Sequence, residues 1–217
     1  AIECKIVAGE EKDEYVHVAF EKAHYLKHFV ENLFEWVKLD SGEQIFHFEA
    51  LDLNEVSRNI IADWISVLEN SNFEYEFDIP ETEYLMRIDV NAYSRILNNL
   101  LQNVLIHSKG NKVIFRISEN DRQAWITLAD NGKGISPDHL PHIFERMYQC
   151  DQSRSAKGNG LGLSIVKELV AAHKGTIAAD STLDKGTIFT ILLSHSRRRL
   201  YQESCGSAWS GILLLLP

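Results

Sequence analysis

Cysteine is scarce in this chain of 217 residues: Cys4, Cys150 and Cys205 are scattered and carry no ligand spacing. Three such thiols fit a reduced, cytoplasmic setting better than a disulfide framework. No apolar run approaches the roughly 18 residues of a membrane span, and no signal peptide opens the chain. Any membrane anchor of the natural protein is therefore expected outside this sequence. A basic excess is missing too. The net charge is −9, which argues against a nucleic-acid surface, and Arg197-Arg198-Arg199 is too short to overturn that. No Gly-x-x-x-x-Gly-Lys-Ser/Thr run is present, so a Walker-type phosphate loop is excluded. What remains is ordinary globular material, 45% hydrophobic and 24% charged, enough for one large domain or a domain with an accessory piece.

Val16, Ala19, Ala23, Leu26, Val30, Leu33 and Val37 alternate spacings of three and four, the stripe of a helix packed in a bundle, closed by Ser41-Gly42. The stripe suits a core helix or a dimer helix. Ile45 to Ala50 reads as a strand. Asp52 with Glu55 forms a capping box for an amphipathic helix through Val67. Phe73, Tyr75, Phe77 and Ile79 alternate with acidic residues as a half-buried strand, and Tyr84–Ile88 is a second. Asp89 caps a helix that turns Leu97, Leu100, Leu101 and Val104 inward. Lys112–Ser118 and Trp125–Ala129 flank the hairpin signal Asn120-Asp121. Short helical pieces are expected between Ser136 and Lys157, then a helix from Leu161 to His173 closed by Gly175, then strands Thr176–Asp180 and Thr187–Leu193. The pattern predicts an α+β fold, a two-layer α/β sandwich with helices on one face of a mixed sheet. From Ser194 the text loses periodicity.

Two glycine-bearing stretches carry the chemistry. Asp130-Asn131-Gly132-Lys133-Gly134 is a turn after a strand, where glycines admit a close approach of backbone to a flat ligand. Gly158-Asn159-Gly160-Leu161-Gly162 opens an apolar helix, whose free N–H groups and dipole suit phosphate. Between them lies Ile143-Phe144-Glu145-Arg146, and upstream lies Asn99-Leu100-Leu101-Gln102-Asn103. Asn103 stands one turn after Asn99 on the same face, amid leucines, and needs a polar partner.

In this order the four stretches resemble the N, G1, F and G2 boxes of sensor histidine kinases, within the GHKL ATPase superfamily; Lys185-Gly186-Thr187 is similar to the last glycine motif. The resemblance runs from about Glu21 to Leu193. It implies a partial dimerisation and phosphoacceptor hairpin in 1–42, an ATP-binding catalytic domain in 43–193 and an atypical tail in 194–217. It implies Mg²⁺ on Asn103, adenine on Asp130 with Gly132 and Gly134, and phosphate contacts from Gly158, Gly160, Leu161 and Gly162. Arg146 and Lys157 are implied as phosphate charges, Arg146 with a catalytic role. Asn99 joins the nucleotide site or is structural. His107 stacks on adenine or ends its helix. Thr187 supports the Asp130 carboxylate or is a plain strand residue.

The implied reaction moves the γ-phosphoryl of Mg-ATP to a histidine on an acceptor hairpin, for relay to a response regulator, in a full-length homodimer without nucleic acid. Departures exist. Ile106 stands where the family often has lysine and Gln149 where it often has arginine, so positive charge near the phosphates is reduced. None of His17, His24, His28 and His47 has the following acidic residue and nearby proline of an acceptor. The chain thus reads as a fragment. Alternatives are a GHKL nucleotide-binding module without autokinase activity, or an anti-sigma-factor-type serine kinase.

Overall fold

The computed structural model describes residues 10–150 and 160–194. Two compact units partition the chain, Ala1–Gln44 with Ile143–Ile165, and Ile45–His142 with Val166–Pro217.

The first unit is built on α1 (Glu10–Asp40), a helix of 31 residues. Gly42 ends it at φ +71, the C′ geometry expected from Ser41-Gly42. The heptad stripe stands open: Val16 is 49% exposed, Leu26 58% and Val37 47%. The Ile143–Ile165 piece groups with α1, although the sequence reading placed it in the nucleotide domain. The physical link is Arg146, whose guanidinium reaches Asp40 at 2.7 Å and lies over the Trp36 ring at 4.5 Å.

The second unit holds a five-stranded mixed sheet in the order β2 (Glu74–Asp78), β4 (Lys112–Glu119), β5 (Gln123–Asp130), β7 (Gly186–Ser194), β6 (Thr176–Thr182). Only the β2–β4 pairing is parallel. A separate two-stranded pair joins β1 (Glu49–Asp52) to β3 (Leu85–Ile88). Alternation sets the faces. Val113, Phe115 and Ile117 of β4, Ala124, Ile126 and Leu128 of β5, and Phe189, Ile191 and Leu193 of β7 are all buried. Helices α2 (Leu53–Asn70), α3 (Val90–His107) and α4 (Gly162–Ala172) contribute Ile60, Ile61, Leu68, Leu97, Leu100, Leu101, Val104, Val166, Leu169 and Val170 to the same core. The α+β sandwich expected from the sequence is what forms.

Local chemistry explains the ends. Asp52 caps α2 by accepting from Asn54 N at 3.0 Å, and its carboxylate also takes Tyr84 N at 3.0 Å, while Glu55 is exposed. Asp89 caps α3 through Ala92 N at 2.9 Å and accepts His47 N at 2.6 Å. Asn120 closes the β4–β5 hairpin by accepting from Arg122 N and Gln123 N. Between α2 and α3, the Tyr93 hydroxyl donates to Ser57, whose own proton goes to the Leu53 carbonyl.

Four expectations need correction. The strand expected over Ile45–Ala50 begins at Glu49, because Phe46 and Phe48 pack ring on ring at 5.7 Å and Phe48 turns onto His173. Strand β2 is shorter than expected and mostly exposed, since it is a sheet edge; Tyr75 and Phe77 stack at 5.0 Å instead of sinking into the core. The left-handed residue that ends α4 is Lys174, φ +59, and Gly175 is needed because a side chain there would meet Leu192 and Leu193. The described part of the Ser136–Lys157 segment holds a single 3₁₀ turn, Leu140–His142, and 151–157 lie outside the described residues.

Asp89 carries two duties at a site only 5% exposed. Replacing it by alanine should cost about 1–3 kcal/mol, a cap plus the part-buried His47 N–H left without its acceptor. Urea unfolding measures this. A loss below about 0.5 kcal/mol, the range of featureless surface changes, would contradict the dual role.

Candidate functional site

On three neighbouring strands the inward row ends in a polar residue at the same edge. On β5 the inward positions run Ala124, Ile126, Leu128 and then Asp130. On β7 the position after Phe189 in this row is Thr187, and on β6 the position after Ala179 is Ser181. Register aligns Asp130 with Val113, and Thr187 with Ser181. A carboxylate at the end of an apolar row loses part of its water. Burial accordingly pushes the Asp130 pKa up, and the N–H groups of Gly132 and Thr187 pull it partly back. Gly132 N donates to Oδ1 at 2.7 Å. Thr187 thus meets the carboxylate through its backbone amide, while its hydroxyl lies 3.0 Å from that of Ser181.

The turn that follows is tied down on three sides. Lys133 N donates to the Ser108 carbonyl at 2.6 Å, anchoring the turn to the end of α3. The Asn131 side chain accepts from Asn111 N at 3.0 Å and Lys112 N at 2.9 Å, and donates to Asn111 Oδ1. Ile135 N donates to the Ser181 hydroxyl at 2.8 Å, and Asp184 N to the Lys133 carbonyl at 2.9 Å. Gly132 was expected to make room for a flat ligand. In the structure the place of its missing side chain is already filled, by the Ser108 backbone. Gly134, at φ +67, is filled likewise by the Thr182 carbonyl. Gly186, at φ +100, faces the Asp130 carbonyl so closely that any Cβ would collide with it.

Along α3, Asn99, Asn103 and His107 follow at one-turn intervals on one face. Asn99 Nδ2 donates back to the Arg95 carbonyl at 2.9 Å, a local bond that leaves its oxygen available. Asn103 is half-buried beside fully buried Leu100, Leu101 and Val104, and its Nδ2 is buried without a hydrogen-bond partner. His107 closes the helix with part of its ring open to solvent. Burial of the rest, then the charge of Lys133, hold its pKa below the ordinary value. Ile106 beside it is 38% exposed, so an apolar side chain meets solvent at this point of the helix.

The remaining residues named from the sequence belong to the first unit or lie outside the described residues. Arg146 is engaged by Asp40 and Trp36, and the Trp36 indole Nε1 is itself buried without a partner. Gly160, at φ +68, packs against the backbone of Met147 and Tyr148. Leu161 is buried and Gly162 opens α4, with Ser164 Oγ bonded to the Leu161 carbonyl at 2.9 Å. Lys157 and Gly158 are outside the described residues, as are the side chains of His24 and His28.

Sequence reasoning missed Ser108, Ser181 and Asn131. Ser181 had a signal: the alternation through Ile177 and Ala179 sets it inward, in register with Thr187. A cavity of about 370 Å³ lined by Asn120, Arg122, Gln123 and Ser194 lies at the opposite end of β5 from Asp130.

Comparison with known proteins supplies the family. The family described as histidine kinase-, DNA gyrase B- and HSP90-like ATPase matches residues 88–197. The sensor histidine kinase YcbM of Bacillus subtilis is 30% identical over 187 residues, which are 85% of this chain and 60% of that protein. Full-length ShkA in complex with AMPPNP shares the fold at a TM-score of 0.72 and 23% identity, over 87% of this chain and 40% of that one. The histidine kinase ThkA, solved with the response regulator TrrA, gives 0.71 at 18% identity over 90% of this chain and 55% of that one. Among the described residues no helix is long and apolar enough to cross a membrane.

A group whose pKa is raised by folding adds stability below its unfolded value and loses it as pH rises through the folded one. At neutral pH the ionised Asp130 therefore works against the ligand-free fold. Asp130→Asn should raise the melting temperature at neutral pH, and the gain should shrink as pH falls toward the ordinary value of 3.8. Thermal scans across pH decide it; a melting temperature that drops at neutral pH would refute the burial argument.

Proposed function

From the premise that this chain belongs to the histidine kinase-, DNA gyrase B- and HSP90-like ATPase family, we propose that within it the chain is the ATP-binding catalytic portion of a two-component sensor kinase, a reading supported by its likeness to YcbM. The proposed reaction transfers the γ-phosphoryl of Mg-ATP to a histidine nitrogen. The imidazole nitrogen attacks phosphorus, the bond to the bridging oxygen breaks, and ADP leaves. Little covalent work falls to the protein in such a transfer; positioning and charge neutralisation dominate.

The observation that carries this reading is the desolvated Asp130 carboxylate at the end of an apolar row. A carboxylate offers about four lone-pair sites, and Gly132 and Thr187 use two. The rest suit the exocyclic amine of adenine and repel the carbonyl that guanine carries there. On the α3 face, Asn103 Nδ2 is buried without an acceptor, a donor that suits a phosphate oxygen and not a cation, and the side-chain oxygen is the atom proposed for a metal. A buried amide without a partner costs about 1–3 kcal/mol unless something binds it. Mg²⁺ takes one or two protein oxygens and keeps water and phosphate for the rest, so the Asn103 oxygen fits. Bound there, the ion would neutralise charge on the phosphates. His107 extends the same face toward the base, Asn99 lies one turn the other way and is proposed to complete the site, and Gly160, Leu161, Gly162, Lys157 and Gly158 are proposed for the phosphates. Arg146 is proposed as a phosphate charge that must first leave Asp40.

The open stripe of α1 supports packing against a hairpin partner, in a homodimer of the longer protein. A response regulator is the proposed downstream partner, as TrrA is for the solved ThkA complex. The chain spans 60% of YcbM, and the setting proposed for it is the cytoplasmic side of a membrane-anchored kinase. A nucleotide module without kinase activity is the second reading. What favours it is the lack of any histidine followed by an acidic residue and a nearby proline.

Asn103→Ala should weaken Mg-dependent ATP binding by about tenfold or more, from a lost ligand and a lost polar partner, with the far-ultraviolet spectrum unchanged. Calorimetric titration with and without Mg²⁺ reads it, and unchanged affinity would remove Asn103 from the metal.

With γ-labelled ATP alone, the chain should take up no stoichiometric label on His17, His24, His28 or His47. Adding a separate acceptor hairpin should produce acid-labile phosphate on that hairpin. Label on the chain itself would make it a self-contained kinase. Acid-stable label would point to a serine kinase, and no transfer to any hairpin would favour the inert module.

A further inference from the structure

Three segments meet at one hydroxyl. Ser181 Oγ lies 2.8 Å from Ile135 N, 2.8 Å from the Gly186 carbonyl and 3.0 Å from Thr187 Oγ1. A serine hydroxyl has one proton and two lone pairs. The carbonyl can only accept, so the proton goes to Gly186. Ile135 N and the Thr187 hydroxyl must then both donate to Ser181. Every bonding capacity of this oxygen is used within the protein, which leaves it nothing to offer a ligand directly.

What the three partners have in common is Asp130. Ile135 ends the turn whose Gly132 N–H holds Oδ1 of that carboxylate. Thr187 supplies the second N–H to it. Gly186 lies against the Asp130 main chain, close enough to exclude a side chain. The carboxylate is thus gripped by donors from two segments far apart in sequence, and Ser181 joins those segments.

We propose that Ser181 is the positioning residue for nucleobase selection: its hydroxyl locks the exit of the Asp130–Gly134 turn to the β6–β7 hairpin and so fixes the carboxylate that reads the base. The inference rests on the nucleotide reading above and goes one residue further. A fixed carboxylate accepts from an amine and repels a carbonyl at the same place. A carboxylate free to swing can still accept from the amine, yet it also turns away from the carbonyl. Loss of the lock therefore reduces discrimination more than it reduces adenine affinity. The fold should survive, because the turn keeps two backbone ties, Lys133 N to the Ser108 carbonyl and Asp184 N to the Lys133 carbonyl.

The test uses the full chain, titrated with non-hydrolysable ATP and GTP analogues in the presence of Mg²⁺. The wild type should prefer the adenine nucleotide. Ser181→Ala should lower the ATP-to-GTP preference about tenfold, as expected when part-buried donors lose their acceptor, and Ser181→Thr, which keeps the hydroxyl, should restore it. Two results overturn the proposal: an unchanged preference in Ser181→Ala, or a parallel weakening of both nucleotides, which would mark a structural role only. Hydrogen exchange at the Ile135 amide in the wild type is an independent reading that needs no folded variant. Protection is expected, and rapid exchange overturns the lock. If the wild type itself binds no adenine nucleotide, the nucleotide reading fails and this inference with it. If the wild type discriminates and Ser181→Ala does so equally, only the Ser181 inference fails.

Discussion

A carboxylate placed where an apolar row of a sheet runs out is the constraint on which the second unit depends. Asp130 sits on the buried face one step beyond Leu128, where solvation is too poor for an unaided charge. The chain answers with N–H donors drawn from both sides, Gly132 from the following turn and Thr187 from the neighbouring strand. Bringing those donors in forces backbone against backbone. Side chains at 132, 134 and 186 are excluded because Ser108, Thr182 and Asp130 already occupy the space. The glycines are required by the protein's own closure before any ligand is considered. This separates two explanations that the sequence merges, since a Gly-x-Gly turn reads the same whether it admits a base or another strand.

That merging shows which parts of the molecule were legible in the sequence. The alternation of Trp125 to Ala129, the helix face carrying Leu97, Leu100, Leu101 and Val104, and the cap at Asp89 form as read, and Asp52 also caps its helix, though it accepts from Asn54 N and not in a box with the exposed Glu55. Short-range chemistry is written in short-range order. Ser181 bonds Ile135 across 46 residues, and Asn131 bonds Asn111 across 20. No local pattern announces such partners. The misjudged burial of β2 has the same origin. Its Phe-Glu-Tyr-Glu-Phe alternation promises a buried side, but whether that side is covered depends on being at the sheet edge. The capping glycine of α4 was misplaced by one residue because a left-handed Lys174 is tolerated where the next position has no room for any side chain.

In the first unit the informative residue is Arg146, read from the sequence as a phosphate charge and found in contact with Asp40 and Trp36 of helix α1. Its two contacts can be weighed. The ion pair with Asp40 is about half exposed at both ends, 51% and 46%; such pairs contribute about 0–1 kcal/mol. Cation–π stacking on Trp36 adds about 0.5–1 kcal/mol at an exposed site. The sum is small beside the charge-assisted bidentate bonds that a guanidinium makes with phosphate oxygens. An arginine held this weakly is stored near the helix without being committed to it, so engagement by Asp40 and a role toward phosphate are compatible occupations of one side chain. The same arithmetic bears on Ile106 and Gln149. With no cation at either position, the proposed phosphate role of Arg146 would supply a larger share of the positive charge, and Asp40 is the group that competes for it.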